Sequence, residues 1–376
     1  MSRDRSGIVL PPPGRQVPTA GWGVVGTGGI ANVFAADLAL SDTQHVTAVA
    51  SRRSDRAEVF AQHHSGASRT GKLRSVRPYD DLAEMIADPV VEMIYVATPN
   101  TAHADAVTAA LEAGKPVVCE KPLATSAGEA RELVRLARQR RTLLMEALWT
   151  RHLPAVRKAH EAVARGLIGE VVAIRGDCTR ERPFDPRSRL FDPALGGGAL
   201  LDLGVYPLSL AILFAGRPDR ADGKWWRNPA GTDGRAEMTL RCGEVDVALA
   251  CGFQAEHRNR FVVQGTRGAL ELDDTLRPVE LTLHERPLAA LPPAAEPRDW
   301  TDTVAGLLPI RGEGRRFDHD FPGRGLRFQA SRAAQCLRHG VKECPEAPLD
   351  DTIAVLEVID AIRAQDPAGD VQDGDL

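Results

Sequence analysis

From Gly21 to about Thr142, short apolar runs alternate with longer stretches of helical spacing, and nothing else in the chain restricts its fold as strongly. Trp22–Gly26 reads as a strand ending in glycine, followed by a helix over Ile30–Leu40. His45–Ala50 is the second strand and Arg53–Gln62 the second helix. Val91–Ala97 and the helix Thr101–Ala113 come next, then Lys115–Cys119 and the helix Ser126–Arg138. Strands separated by helices of about ten or more residues form βαβ units, whose crossovers make neighbouring strands parallel. This half is therefore α/β around a parallel sheet, with Leu143–Leu148 as a closing strand.

The second half has another rhythm. A helix over Ala155–Arg165 ends at Gly166. Extended runs follow at Glu170–Arg175, Arg235–Arg241, Val245–Cys251, Arg260–Gln264, Ala269–Leu272 and Glu280–His284. Turn signals such as Cys242-Gly243 and Gly265-Thr266-Arg267-Gly268 join several of them as antiparallel neighbours. Strands in series after a βα region predict a second, α+β domain on an antiparallel sheet. Arg286–Gly325 is rich in Pro and Gly and reads as a surface excursion; Leu326–His339 and Asp351–Ala364 read as closing helices. The expected division is a flexible leader over 1–19, a dinucleotide domain over 20–145, and a substrate and oligomerisation domain over 146–376.

Composition narrows the function. A formal net charge of −4 gives no basic excess to drive counterion release from a polyanion, which argues against nucleic acid as a partner. No run approaches the roughly 18 consecutive apolar residues of a membrane span, and the Pro-rich start lacks the apolar stretch of a secretory signal, so a cytoplasmic location is expected. The six cysteines contain no C-x-x-C pair and predict reduced structural thiols without a metal site. Only six of the 47 basic residues are lysines (Lys72, Lys115, Lys121, Lys158, Lys224, Lys342), so a lysine at a strand end carries weight.

Gly26-Thr27-Gly28-Gly29-Ile30-Ala31 follows the first strand and opens the first helix, fitting G-x-G-x-x-G/A with alanine in third place. Such glycines permit a tight turn and close approach of a pyrophosphate to a helix N-terminus. Gly26, Gly28, Gly29 and Ile30 are thus cofactor-binding candidates. An NAD site places Asp or Glu about 20 residues on, for the ribose 2′-hydroxyl. Here stand Ser51, Arg52 and Arg53, with Arg56 a turn later; guanidinium forks suit a 2′-phosphate, so NADP(H) is expected. The alternative is a solvated helix start. Thr98, Asn100 and His103 follow one strand, and Glu120 and Lys121 the next, at the carboxyl ends where open α/β sheets bind ligands. Lys121 is a reaction-centre candidate, an ordinary surface lysine being the alternative. His103 begins a helix in the nucleotide half and reads as structural or cofactor-side rather than as a base. Asp202 and Tyr206 stand at i and i+4, one face of a helix. A phenol whose pKa is lowered by an ammonium can donate to a forming alkoxide, although a core tyrosine fits the same pattern.

The Gly-rich turn, Glu120-Lys121-Pro122 and the Asp202…Tyr206 pair resemble the Gfo/Idh/MocA oxidoreductases, from about Gly21 to the closing helices. Met145–Arg151 and Leu195–Asp202 look most like the dimeric dihydrodiol dehydrogenase branch. The resemblance implies a Rossmann domain and a second domain with a large, open, mainly antiparallel sheet that makes homo-oligomer contacts, dimer or tetramer. It implies Lys121 beside nicotinamide and substrate oxygen, Tyr206 as acid/base, Asp202 as the orienting carboxylate, Trp149 and Arg151 near the substrate, and Arg52 and Arg56 at a 2′-phosphate. The leader and the 286–325 excursion depart from the family pattern. The function expected is hydride transfer between NADP(H) and a small polyhydroxylated substrate, a sugar, ketosugar or cyclic diol. The competing readings are a silent dinucleotide-binding regulator and a redox-assisted glycoside-cleaving enzyme; retention of both Lys121 and Tyr206 weighs against the regulator.

Overall fold

The computed structural model describes residues 17–67, 73–253, 259–285 and 314–371. The first 16 residues of the expected leader and residues 286–313 of the expected excursion lie outside the described residues. The chain forms two compact units, one of residues up to 152 together with 321–353, the other of 153–320 together with 354 onward.

In the first unit, β1 (Ala20–Val25), β2 (Gln44–Ala50), β5 (Arg77–Tyr79), β6 (Met93–Val96), β7 (Val117–Glu120) and β8 (Leu144–Ala147) make a six-stranded sheet in the order β5-β2-β1-β6-β7-β8, and every pair is parallel. A two-residue ladder, β3 (Gly66–Ala67) with β4 (Leu73–Arg74), stands apart. Helices α1 (Gly29–Leu38), α2 (Ser54–His64), α3 (Leu82–Ala87), α4 (His103–Glu112) and α5 (Ala127–Arg140) are the crossovers. β1, β6, β7 and β8 are buried along their whole length. That is why they read as apolar runs, interrupted only by Glu120 at the end of β7 and Glu146 in β8, rather than as alternation: helices cover both faces of a parallel sheet. The strand order reverses between β1 and β6, the switch point beside which open α/β sheets bind ligands.

The first unit also takes in α8 (Leu326–Arg338), although the expected division assigns everything after 145 to the second domain. Two anchors explain the return. The buried Asp37 carboxylate at the end of α1 accepts the backbone N–H groups of Arg324 (2.7 Å) and Gly325 (2.6 Å), capping a helix whose N-cap glycine has no side chain to do so. Beyond α8, Leu144 of edge strand β8 donates to the Lys342 carbonyl and bridges to Glu343 in parallel.

In the second unit, a nine-stranded sheet runs in the order β16-β15-β14-β13-β9-β12-β11-β10-β17. Its strands are β9 (Val171–Thr179), β10 (Arg220–Arg227), β11 (Asp233–Cys242), β12 (Val245–Gly252), β13 (Phe261–Gly265), β14 (Ala269–Leu272), β15 (Glu280–His284), β16 (Arg315–Asp318) and β17 (Gly369–Asp370). The sheet is mostly antiparallel, with parallel pairs β9–β12 and β10–β17. Strand β16 falls inside the stretch read as excursion and pairs antiparallel with β15. Strand β10 has no counterpart among the expected strands; none of its residues is fully buried, and its large apolar groups, Trp225 and Trp226, are adjacent, so it carries no apolar period. Helices α6 (Pro154–Ala164) and α7 (Val205–Ala215) pack on the sheet, α7 against central β9 and β12. The last helix, α9 (Leu349–Arg363), contributes residues to each unit. Among the described residues one helical stretch, Pro193–Ala215, has the length and mean hydropathy (1.8) of a membrane span, but 83% of its most apolar window is buried inside the protein, so it is core.

Candidate active site

The glycine turn sits at the switch point. Gly26 adopts φ +105°, a region that disfavours any side chain, and a Cβ there would stand 2.7 Å from the Ala97 carbonyl oxygen. At Gly28 and Gly29 a Cβ would instead meet open space. Helix α1 starts there with Gly28 as N-cap, no side-chain cap and no acidic residue in its first turn, so its leading N–H groups and the positive end of its dipole face outward uncompensated. Ala31, in third place of the motif, is fully buried where helix meets sheet. Asn32 holds the turn in shape, its amide donating to the carbonyls of Thr27 (3.2 Å) and Gly28 (2.9 Å). An open, glycine-lined helix start suits a diphosphate, and these residues fit a dinucleotide.

At the end of β2, the Ser51 hydroxyl accepts the Arg53 N–H. The Arg53 guanidinium is taken up by Asp55, with an N–O distance of 2.6 Å. Arg52 and Arg56 are exposed and form no side-chain hydrogen bond or ion pair among the described residues, so both keep their donors.

The loops after β6 and β7 are tied together by one imidazole. His103 is buried, with Nδ1 2.8 Å from the Pro122 carbonyl and Nε2 3.0 Å from the Thr98 carbonyl. The ring joins the two segments that follow adjacent strands, a structural task for which sequence offers a position and no partner. The Thr98 hydroxyl is buried without a hydrogen-bond partner among the described residues, and Asn100 is buried in the 3-10 turn before α4.

Beneath Lys121 lies a carboxylate layer. Glu120 is buried; it accepts the Tyr95 hydroxyl on one oxygen and the Lys121 N–H (3.2 Å) on the other. Tyr95 is itself stacked on Phe34 of α1, ring centroids 3.6 Å apart, so the first helix and the lysine loop are linked through one phenol. Burial pushes the Glu120 carboxyl up to about 7, against the opposing pull of Tyr95 and the Lys121 ammonium. Glu146 on neighbouring β8 is also raised by burial, although it accepts the Leu123 N–H (2.9 Å) and the Thr352 hydroxyl (2.7 Å). Tyr95, Glu146 and Asn32 are absent from the sequence-based candidates. The Glu-Lys-Pro step could direct attention to the strand beside it, but no spacing pairs residue 95 with residue 120.

Trp149 and Arg151 lie in the buried 3-10 turn after β8. The Arg151 guanidinium is only 2% exposed and bonds the Asp351 carboxylate (2.7 Å) and the Glu346 carbonyl (3.3 Å), so within the first unit it braces the C-terminal segment.

The second unit carries Asp202 and Tyr206. Leu200–Gly204 is a π-helical turn, closed by a bond from the Val205 N–H to the Leu200 carbonyl, and it leads into α7. Such turns recur at functional sites. Asp202 is half-buried and Tyr206 is 5% exposed. All six cysteines are buried, and none forms a disulfide.

Comparison with known proteins agrees with the two-part fold. Residues 20–148 match the GFO/IDH/MocA oxidoreductase family with its NAD-binding Rossmann fold, and residues 156–271 match the C-terminal domain of the same family. Trans-1,2-dihydrobenzene-1,2-diol dehydrogenase of Macaca fuscata fuscata is 34% identical over 91% of this chain and 95% of its own length. D-xylose 1-dehydrogenase (NADP(+)) of Hypocrea jecorina is 31% identical over 92% of each. Among solved structures, aldose-aldose oxidoreductase from Caulobacter crescentus superposes with a TM-score of 0.75 at 21% identity, over 92% of this chain and 97% of that one, a likeness of fold. With both of its domains matched and its relatives aligned nearly end to end, the chain belongs to the GFO/IDH/MocA family of nicotinamide-dinucleotide-dependent oxidoreductases.

Proposed function

We propose that the protein is an NADP(H)-dependent dehydrogenase or reductase acting on a CH–OH group, or the matching carbonyl, of a small sugar or cyclic diol. The observation that carries this reading is the open, uncapped glycine start of α1 at the switch point, with Lys121 presented at the end of β7 in the same unit. The activities of the named relatives, a diol dehydrogenase and a xylose dehydrogenase, support the substrate class. The guanidiniums of Arg52 and Arg56, exposed and without a side-chain hydrogen bond among the described residues, support NADP(H) over NAD(H), since each can fork onto a 2′-phosphate.

The nicotinamide would supply or accept the hydride. Gly26, Gly28, Gly29 and Ile30 would present backbone N–H groups to its diphosphate, and Ser51, Arg52 and Arg56 would hold the 2′-phosphate. Thr98, Asn100, His103 and Glu120 would shape the cofactor side of the site. In the reducing direction Lys121 stabilises the negative charge developing on the substrate oxygen and Tyr206 gives that oxygen a proton; oxidation runs the same transfers in reverse. Asp202 orients these groups, Trp149 would lie near the substrate, and Arg151 would back that side of the pocket through its ion pair with Asp351. The large sheet of the second unit is the proposed homo-oligomer contact.

The test follows absorbance at the nicotinamide band, with NADP+ offered with sugars, inositols and dihydrodiols and NADPH with ketosugars. Turnover with at least one class is expected, with NADP(H) preferred over NAD(H). Lys121→Ala should abolish most of it while NADPH still binds. A clear NADH preference would remove the arginine assignment, and retained turnover in Lys121→Ala would remove the lysine from the chemistry.

A further inference from the structure

The turn that leads into Asp202 and Tyr206 is held from outside its own helix. Gly196-Gly197-Gly198 folds back on the loop before it, with Gly198 N–H donating to the Leu190 carbonyl (2.8 Å) and Gly197 N–H to the Asp192 carbonyl (2.9 Å). Gly198 has φ +117°, and a Cβ there would strike Asp233 Oδ1 at 2.4 Å and Arg363 Nη2 at 2.5 Å. Those two groups close over the turn. Asp233, 2% exposed at the start of β11, accepts the Leu200 N–H through Oδ2 at 2.6 Å. Its Oδ1 accepts Nε (2.8 Å) and Nη2 of Arg363 from the end of α9, and Arg363 Nη2 also donates to the Gly197 carbonyl at 3.0 Å.

From this network we propose that Asp233 and Arg363 are positioning residues for the Asp202–Tyr206 pair. The inference rests on the proposed function of those two side chains. The physical argument is a matter of degrees of freedom. A π-helical turn is poorly determined by its own hydrogen bonds, and three consecutive glycines at its entrance leave the backbone there loose. Asp233 fixes the first N–H of the turn, and Arg363 fixes the carbonyl three residues earlier. With both ends of this entrance held by one ion pair, rotation of the following turn about its axis is blocked. The bond from the Asp202 N–H to the Gly198 carbonyl (3.1 Å) then carries that register to the carboxylate one turn before the phenol. The two anchors lie 31 and 161 residues beyond Asp202 in the chain.

Two measurements on the whole chain test this. In Asp233→Asn, which keeps an acceptor for Leu200 and loses the charge that holds Arg363, kcat should fall about 100-fold, the scale of a misplaced reacting group. KM and the affinity for NADPH should stay near the wild-type values. Amide hydrogen exchange should rise over Ala199–Tyr206 and stay unchanged in the remaining strands of the large sheet. Arg363→Lys, which keeps the charge and loses the fork, should recover part of the activity lost in Arg363→Met; this pair serves if Asp233→Asn does not fold. A merely structural pair would lower the melting temperature and leave kcat of the folded enzyme intact. Unchanged kcat together with unchanged exchange in the turn overturns the proposal. Absence of any nicotinamide-linked turnover in the wild type would instead overturn the proposed function, and the exchange measurement would still decide whether the clamp orders the turn.

Discussion

Replacing Glu120 by Gln should change how stability depends on pH, and the size follows from where the carboxyl sits. Glu120 is 6% exposed, and burial raises it from 4.5 to about 7 even with Tyr95 and two groups of Lys121 favouring the ionised form. Between those two values the folded protein binds a proton that the unfolded chain has released. Stability is then highest below about pH 4.5 as far as this group is concerned, and is lost as pH rises toward 7 and beyond. At about 1.4 kcal/mol per pKa unit, the full loss is about 3 kcal/mol. Glutamine cannot ionise. Its carbonyl still accepts the Tyr95 hydroxyl, and whatever its amide costs against the Lys121 N–H is the same at every pH. Urea unfolding of wild type and Glu120→Gln at pH 5, 6, 7 and 8 isolates this site, because distant carboxyls titrate alike in both proteins and cancel in the difference, while neighbouring Glu146, whose charge helps raise Glu120, contributes only through that coupling. Between pH 5 and pH 8 the variant should gain about 2–3 kcal/mol relative to wild type, most of it by pH 7, since part of the full loss falls below pH 5. Parallel curves would refute the argument, and would mean that the ionised carboxylate is as well solvated by Tyr95 and Lys121 as by water.

Two further substitutions separate fold from site. Asp37→Ala strips the buried acceptor from the start of α8 and strands the Arg324 and Gly325 N–H groups; at about 1.5–3 kcal/mol for each charged hydrogen bond, a loss of about 3 kcal/mol or more is expected in a denaturant titration, and a change below about 1 kcal/mol would show that water replaces the carboxylate. Gly28→Ala places a methyl group where nothing lies within 4 Å, so stability should move by no more than about 1 kcal/mol, the scale of an N-cap change. NADPH affinity, followed by fluorescence titration, should nonetheless drop more than about tenfold, or 1.4 kcal/mol, because the methyl stands in the path of the diphosphate; unchanged affinity would show that the cofactor avoids this turn.

The parts of this protein that sequence determines are those set by local periodicity and by backbone chemistry. The buried parallel strands announce themselves as apolar runs between helical stretches, and Gly26 is required by a turn that no side chain tolerates. The resemblance of ordered motifs then points to the family to which both halves belong. Strands β10 and β16 escape because an exposed strand at or near a sheet edge has no apolar period. Helix α8 falls in the other unit from the one expected because its anchor, Asp37, lies 288 residues before Gly325, the residue it caps. Tertiary structure alone decided which groups surround the chemistry. The Tyr95–Glu120 contact, the His103 bridge between two loops, and the Asp233–Arg363 hold on the glycine turn each join residues that no local spacing pairs. Their energy comes from burying charge and hydrogen-bonding capacity together, and burial is a property of the folded volume that no local stretch of residues possesses.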